Sequence, residues 1–465
     1  MRLPCTTFLI AVLVAPLPAL PAQEAKAPQE ASVPIGDPAG LPARADRVER
    51  HGFTWRFAEK HDVGTFVNGD PWVVGPVSIV EITPACVEVE DRVMHGSMLD
   101  PDPSKMIQGY DSDCFGEEKR KRYDAALNVA WGLSAEKPLV MQPGSSLVSV
   151  RSRVIPKDAE HDFPRLQAAA VLTCLAAAPA PDAFRPPYVR GDKTVRHRAV
   201  DLDFTVLQRV KPVASMPPID VVSKSFERLW LDHFPEWVVR YSHPLDDMPD
   251  YGRDIAATIG SGVLMLQVDA SNEQKRELLV RLVQIGIDLH GALRGGCKWQ
   301  GVGGHGSGRK LPILLAGKVL NDERMLAIGR EFESKRREGP GPYAYFAEDG
   351  QTFYVRETSP GVFNDGHGGY TRTHEGLPEW GFSHVDNPEH DDAKWDVNPY
   401  RRCCTANAWI GHALVARMMG LREAWNHDAF FDYEDRYMQA THTEGWHRAW
   451  VGWHATMWDA YRATY

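Results

Sequence analysis

The sequence predicts an α+β chain: an N-terminal β-sandwich-like domain over residues 46–215, then an all-helical α/α toroid domain over residues 216–465. Three observations predict it. In the front half apolar and polar residues alternate, the period of a strand with one buried face. Behind Pro217-Pro218 the apolar period lengthens to that of helices. The helical half also carries long decorated loops at 291–310 and 339–404. Loops of that length in a compact region are usually functional, and in a ring of helix pairs they build a cleft at one rim.

The elements follow in order. Met1-Arg2 leads into an apolar run from Thr6 to Leu20 that closes on Ala19-Leu20-Pro21-Ala22. This reads as a signal peptide over residues 1–22 and an exported protein, secreted or periplasmic. The run is too short, and too interrupted by Pro16 and Pro18, to span a bilayer, and no membrane span is expected later. Residues 23–45 are rich in Ala, Pro, Glu and Gly and read as a disordered tether. The remainder exceeds one ordinary core, so two domains are expected. Phe53, Trp55 and Phe57 alternate with polar residues, and a turn at Asn68-Gly69 separates two strands. Val77–Thr83, Leu147–Val154 and Ala199–Val210 extend the β pattern, with one helical insert from about Gln167 to Ala177. In the back half Ser271-Asn272-Glu273-Gln274 matches a capping box. Behind it Leu278, Leu282, Ile285 and Leu289 recur at helical spacing. Asn321 is expected to cap a helix carrying Met325, Ile328 and Phe332. Ala406–Met418 and a final aromatic-striped helix with Trp446, Trp450, Trp453, Met457 and Tyr461 complete the set, the stripe serving the core.

A formal charge of −10 argues against nucleic acid as a partner, since phosphate binding needs a basic surface. Beyond the signal the cysteines are Cys86, Cys114, Cys174, Cys297, Cys403 and Cys404. Cys86–Cys114 is a candidate disulfide; Cys403-Cys404 reads as two packing thiols rather than a vicinal bridge. No CxxC pair marks a zinc site.

Two loops carry candidate chemistry. Between Arg294 and Lys310 seven glycines surround His305, and residues 291–320 hold five Lys or Arg without Asp or Glu. In an acidic chain that is a local anion trap, with Arg309-Lys310 opening the next helix. The simpler alternative is a flexible connector with a solvated His. The second loop brings Tyr354, Arg356, Asn364, His367, Tyr370, Glu379 and Trp380. Tyr, His and Arg together suit proton abstraction beside a carboxylate, which the cation neutralises. The acidic run Asp386, Glu389, Asp391, Asp392 and Asp396, with His384 and His390, reads as a solvated loop. Its alternative is a structural divalent cation, calcium or zinc. No cofactor is required otherwise.

The exported chain, the helical half, Gly303-Gly304-His305-Gly306 in an interhelix loop and the downstream Tyr/Arg cluster resemble the toroid polysaccharide lyases of the alginate lyase and heparinase II/III-like group. Those enzymes use an Asn-His pair, a Tyr and an Arg. The resemblance implies His305 as the His, Tyr354 or Tyr370 as the Tyr, and Arg309 or Arg356 as the Arg. Gly304 stands where the Asn would precede the His, so the amide is left to Gln300, Asn364 or Asn407. The β domain also precedes the helices here, the reverse of the usual heparinase-like order. The expectation is a lyase that cleaves a uronate-containing polysaccharide by β-elimination. His305, Tyr370, Tyr354, Arg309, Arg356 and His367 would be catalytic. Trp299, Gln300, Lys298, Lys310, Asn364, Glu379, Trp380 and Asn407 would bind substrate. A glycoside hydrolase with paired carboxylates, drawn from Glu379, Asp365, Glu357 and Asp254, is the first alternative. A non-catalytic glycan-binding surface protein is the second.

Overall fold

The computed structural model describes residues 42–114, 122–155, 164–234, 237–301, 303–333, 345–355, 372–381, 403–439 and 448–465. The chain is α+β. Its front half forms one curled sheet from β1 (Ala43–Arg50), β2 (Phe53–Thr65), β3 (Pro71–Val74), β4 (Val77–Thr83), β7 (Ser97–Leu99), β8 (Leu139–Met141), β9 (Ser145–Ser152) and β10 (Leu166–Leu175). The strand order is β7-β9-β10-β3-β2-β4-β8, with β1 also paired to β2. A hairpin of β5 (Val87–Val89) and β6 (Arg92–Met94) stands apart. The expected sandwich of two sheets is therefore a single sheet that rolls over its own core.

The roll follows from side-chain alternation. Phe53, Trp55 and Phe57 of β2 point inward with Ile79 and Ile82 of β4, Trp55 lying opposite Ile82. β10 pairs antiparallel with β9 and parallel with β3, so it is central. Its Ala168, Ala170, Leu172 and Cys174 enter the inner core, whereas Ala169 and Val171 face the helices. A strand buried on both faces loses its polar alternation, which is why residues 167–177 read as a helical insert although Leu166–Leu175 is a strand. The stretch 199–210 fails in the opposite way. It forms two short 3-10 turns, Ala199–Asp201 and Phe204–Val206, the second capped by Asp203 accepting from the Thr205 amide at 2.8 Å.

The helices are α1 (Ile219–Lys224), α2 (Gly252–Met265), α3 (Asn272–Arg294), α4 (Lys310–Leu320), α5 (Glu323–Leu326), α6 (Ile328–Glu331) and α7 (Ala347–Gln351). After a small sheet of β11 (Thr352–Tyr354) and β12 (Pro378–Trp380) come α8 (Ala406–Met418), α9 (Arg422–Trp425), α10 (Asp428–Gln439) and α11 (Gly452–Tyr461). The capping box holds: the Ser271 hydroxyl accepts from the Gln274 amide at 3.2 Å and the Gln274 side chain accepts from the Ser271 amide at 2.9 Å. Asn321 instead ends α4 in the left-handed region at φ 52°, and Asp322 caps α5. α2 packs on α8, α3 on α4, and α8 on α10 and α11.

The two halves expected from the change in texture share one core. Val148, Val150 and Val171 of the sheet pack in the same cluster as Ile255, Leu282 and Trp409 of the helices. The described residues of both halves belong to one compact unit. A buried ion triad adds to the seam. Arg185 donates through Nε to Asp70 at 2.7 Å and through Nη2 to Asp288 of α3 at 2.6 Å. Burial pushes the Asp70 carboxyl up, but Arg185 and Arg50 beside it hold it below its ordinary value. Among the described residues no helix is long and apolar enough to cross a membrane.

Candidate active site

The glycine-rich loop lies against the start of α2. A Cβ on Gly252 would meet the carbonyl oxygens of Gly304 and His305 at 2.1 and 2.2 Å, so the first residue of α2 must be glycine for the loop to pass. A Cβ on Gly304 would meet the Cys404 carbonyl at 2.2 Å and the Tyr251 hydroxyl at 2.6 Å. These two close approaches bring Tyr251, His305 and the Cys403-Cys404 turn together.

The His305 ring meets Tyr251 edge-on, centroids 4.9 Å apart. Two guanidiniums flank the same phenol: Arg240 and Arg253 each sit 5.3 Å from its centroid. Arg240 is held by Asp250, Nη2 to Oδ2 at 2.5 Å. Arg253 is gripped by both oxygens of Asp254, at 3.0 and 3.1 Å, and donates Nη1 to the Cys403 carbonyl at 2.9 Å. Its guanidinium stacks 3.5 Å above the Trp450 ring. The Trp450 amide in turn donates to the Asn407 carbonyl at 2.7 Å. Tyr251, His305, Arg240, Arg253, Asp250 and Asp254 are all partly open to solvent.

Behind this wall the loop is pinned by buried polar groups. Arg309, 1% exposed, donates Nε to Asp232 at 2.6 Å and Nη1 to the carbonyls of Ser307 and His305 at 2.6 and 3.1 Å. Asp232 also meets Nε2 of His243 and Nε1 of Trp299, each at 3.3 Å. Burial pushes the Asp232 carboxyl up; the Arg309 charge and the hydrogen bond from His243 outweigh it and hold the group well below the carboxylate range. Nδ1 of His243 lies 2.9 Å from the Asp250 carbonyl, which ties this core to the rim. Lys310, fully buried, donates to Asp349 and the Trp425 carbonyl at 2.5 Å. Glu348 accepts from the Gly308 amide at 2.6 Å, and burial pushes its carboxyl up to about 7. The Ser307 hydroxyl accepts from Trp409 Nε1 at 3.0 Å.

Several expected site residues are thereby corrected. Arg309 and Lys310 form no anion trap: their charges point inward and are spent on Asp232 and Asp349. Trp299 and Trp380, 2% and 0% exposed, are core rather than sugar platforms. Glu379 is buried and paired with Arg436 at 3.0 Å, which removes it from substrate binding and from the hydrolase pair. Tyr354 donates its hydroxyl to Asp432; burial, then Asp432, raises its phenol above the ordinary value, the wrong direction for a base. Asn407 is fully buried, and its amide oxygen and nitrogen have no partner among the described residues. Lys298 and Gln300 are half-buried, Lys298 with its ammonium 5.1 Å from the Tyr345 ring. Of the expected residues, His305 stands in the cluster, with Asn407 tied to it through Trp450. Tyr370, Arg356, His367 and Asn364 lie outside the described residues, as do the acidic run at 386–396 and the hydrolase candidates Asp365 and Glu357.

Sequence reasoning missed Tyr251, Arg240 and Arg253. A signal for two of them existed: Tyr251-Gly252-Arg253-Asp254 opens an apolar helix, an unusual density of polar function at a helix start. Arg240 had none, since only folding carries it to Tyr251. The disulfide expectation reverses as well. Cys403 and Cys404 are bonded to each other, whereas Cys86 and Cys114 are free thiols. Cys86 accepts from Asn128 at 3.2 Å, and Cys114 is sealed beneath the Tyr241 carbonyl. Among the described residues no group of His, Cys, Asp or Glu is placed to hold a metal ion. The chain matches no protein-family model, no curated protein and no solved structure.

Proposed function

We propose that this protein is an exported polysaccharide lyase that cleaves a uronate-containing glycan by β-elimination in the Tyr251–His305 cleft. The observation that carries the reading is the packing of His305 edge-on to a tyrosine flanked by Arg240 and Arg253. The arginines offer charge to the uronate carboxylate, which makes the neighbouring C–H more acidic as the transition state builds negative charge. His305 takes the proton from C5. The electrons of that C–H bond form the C4=C5 double bond as the C4–O4 bond breaks, and Tyr251 protonates the departing oxygen. The helix pairs α2–α8 and α3–α4, with the cleft built from loops at their ends, support a toroid-like arrangement for the helical half. The N-terminal leader and the Cys403–Cys404 bond support export to an oxidising compartment.

The test is incubation of the purified protein with alginate, glucuronan, heparin, chondroitin, pectate and ulvan, following the ultraviolet absorbance of unsaturated uronate. A rise on one polymer that disappears in His305→Ala and Tyr251→Phe supports the reading. New reducing ends without absorbance would move it to a hydrolase, and binding without turnover to a carbohydrate-binding protein.

A further inference from the structure

A cavity of about 480 Å³ lies between the segment 184–197, the C-terminal turns of α3 and the start of α5. Its size falls among small-molecule sites, and none of its lining residues belongs to the Tyr251–His305 cleft. The wall has two chemistries. Phe184, Pro187, Val189, Ile287 and Met325 give it an apolar surface. Arg190, Arg196, Arg294 and Arg324 bring guanidiniums, against the carboxylates of Asp192 and Asp322. Each of these guanidiniums has an acid partner at the rim: Arg190 with Asp102, Arg196 with Asp192, Arg294 with Glu331 and Arg324 with Asp322. Arg185 also lines the cavity, but Asp70 and Asp288 saturate it, so it is fixed floor.

The rim arginines are available for exchange. Arg190 pairs with Asp102 at 3.2 Å and Arg294 with Glu331 at 2.5 Å, and these arginines keep 64% and 42% of their side-chain surface exposed. Exposed pairs of this kind contribute little, so an incoming carboxylate can replace the acid partner. One turn before Arg294, His290 lines the same cavity with a buried Nε2 that has no hydrogen-bond partner among the described residues. Burial first, then the charge of Arg294, lowers its pKa to about 4 and keeps the ring neutral. A neutral imidazole nitrogen can donate to or accept from a hydroxyl, and a ligand hydroxyl there would satisfy it.

We propose that this cavity is a second carbohydrate site that holds the acidic end of a uronate oligosaccharide. The rim arginines take the carboxylate, His290 a ring hydroxyl, and the Pro187–Val189–Ile287 wall the apolar face of the pyranose. The anion site stands on its own lining; only the choice of a sugar acid as occupant rests on the lyase reading.

The experiment is isothermal calorimetry of the full chain carrying Tyr251→Phe, which slows turnover. The probes are digalacturonate, dimannuronate and a glucuronate disaccharide, with lactose and citrate as neutral and non-sugar controls. At least one uronate disaccharide binds, and Arg190→Ala with Arg294→Ala weakens it at least about tenfold. Both positions are exposed, so the double variant keeps the melting temperature of its parent. His290→Phe weakens the same probe without abolishing the arginine dependence. Absence of uronate binding, or equal binding after the double substitution, overturns the proposal. Lactose binding as well as the uronates overturns the acidic class, and citrate doing so overturns the sugar class. The two readings fail separately. Arginine-dependent binding with no polymer cleaved leaves this site standing without the lyase; cleavage with no such binding does the reverse.

Discussion

Replacing Arg309 by Met is expected to remove stability rather than substrate affinity, and the size of the loss can be worked from its contacts. The side chain is 1% exposed and carries three hydrogen bonds: to Asp232 at 2.6 Å, the Ser307 carbonyl at 2.6 Å and the His305 carbonyl at 3.1 Å. Met keeps most of the volume and none of the donors. Asp232 is left buried with His243 and Trp299 at 3.3 Å each. Removing one partner of a buried pair costs about 3–5 kcal/mol. A carbonyl deprived of its donor adds about 1 kcal/mol. The sum is a large part of the roughly 5–15 kcal/mol that holds a domain folded. Urea unfolding followed by tryptophan fluorescence at neutral pH measures it. Arg309→Met with Asp232→Asn is expected to recover much of the loss, because the stranded charge is gone. The sign with pH is also fixed. Asp232 is depressed in the folded state, so its contribution is present above the ordinary carboxylate range and is lost as pH falls through its lowered pKa. The single variant lacks that acid limb. If instead Arg309→Met lies within about 1 kcal/mol of wild type and loses uronate affinity, Arg309 is a ligand arm and the assignment of the loop's inner side is wrong.

Three further outcomes follow from the same geometry. Tyr251→Phe keeps the fold and lowers kcat on the cleaved polymer by roughly 10²–10⁴-fold, the usual contribution of a positioned acid or base; an unchanged kcat removes Tyr251 from the chemistry. Glu348, pushed up to about 7 from 4.5, makes the folded state bind the extra proton, so stability falls as pH rises from about 5 to about 7, by up to roughly 3 kcal/mol. Glu348→Gln is expected to flatten that slope in unfolding curves taken across the range. Peptide mapping without reductant finds Cys403 linked to Cys404 and alkylation at Cys86 and Cys114 after denaturation; a Cys86–Cys114 peptide would contradict the arrangement of the front half.

Much of the helical half was legible because its signals are local. The capping box at Ser271, the spacing of Leu278, Leu282, Ile285 and Leu289, and the helix from Ala406 depend on residues within a few positions of each other. The hairpin around Asn68-Gly69 was legible for the same reason. β10 was not, since Ala168 to Leu175 read as helix until neighbours on both sides and both faces are known. His305 in its glycine setting was singled out, and the structure sets its ring edge-on to Tyr251. The charges beside it misled, because sequence does not record direction: Arg309 and Lys310 look like solvent-facing cations until Asp232 and Asp349, 77 and 39 residues away, arrive behind them.

The sequence by itself determined an N-terminal half with strand periodicity, a C-terminal half with helical periodicity, a glycine loop able to pass close to other backbone, and the chemistry of its one imidazole. The tertiary structure decided the rest: that the strands roll into one sheet, that both halves share a core, that Tyr251 meets His305, and that Arg240 and Arg253 flank that tyrosine. The physical reason is range. Dihedral preference, capping and periodicity act between near neighbours, whereas burial of charge and ring packing depend on which distant groups share a volume, and that is fixed only when the chain closes on itself.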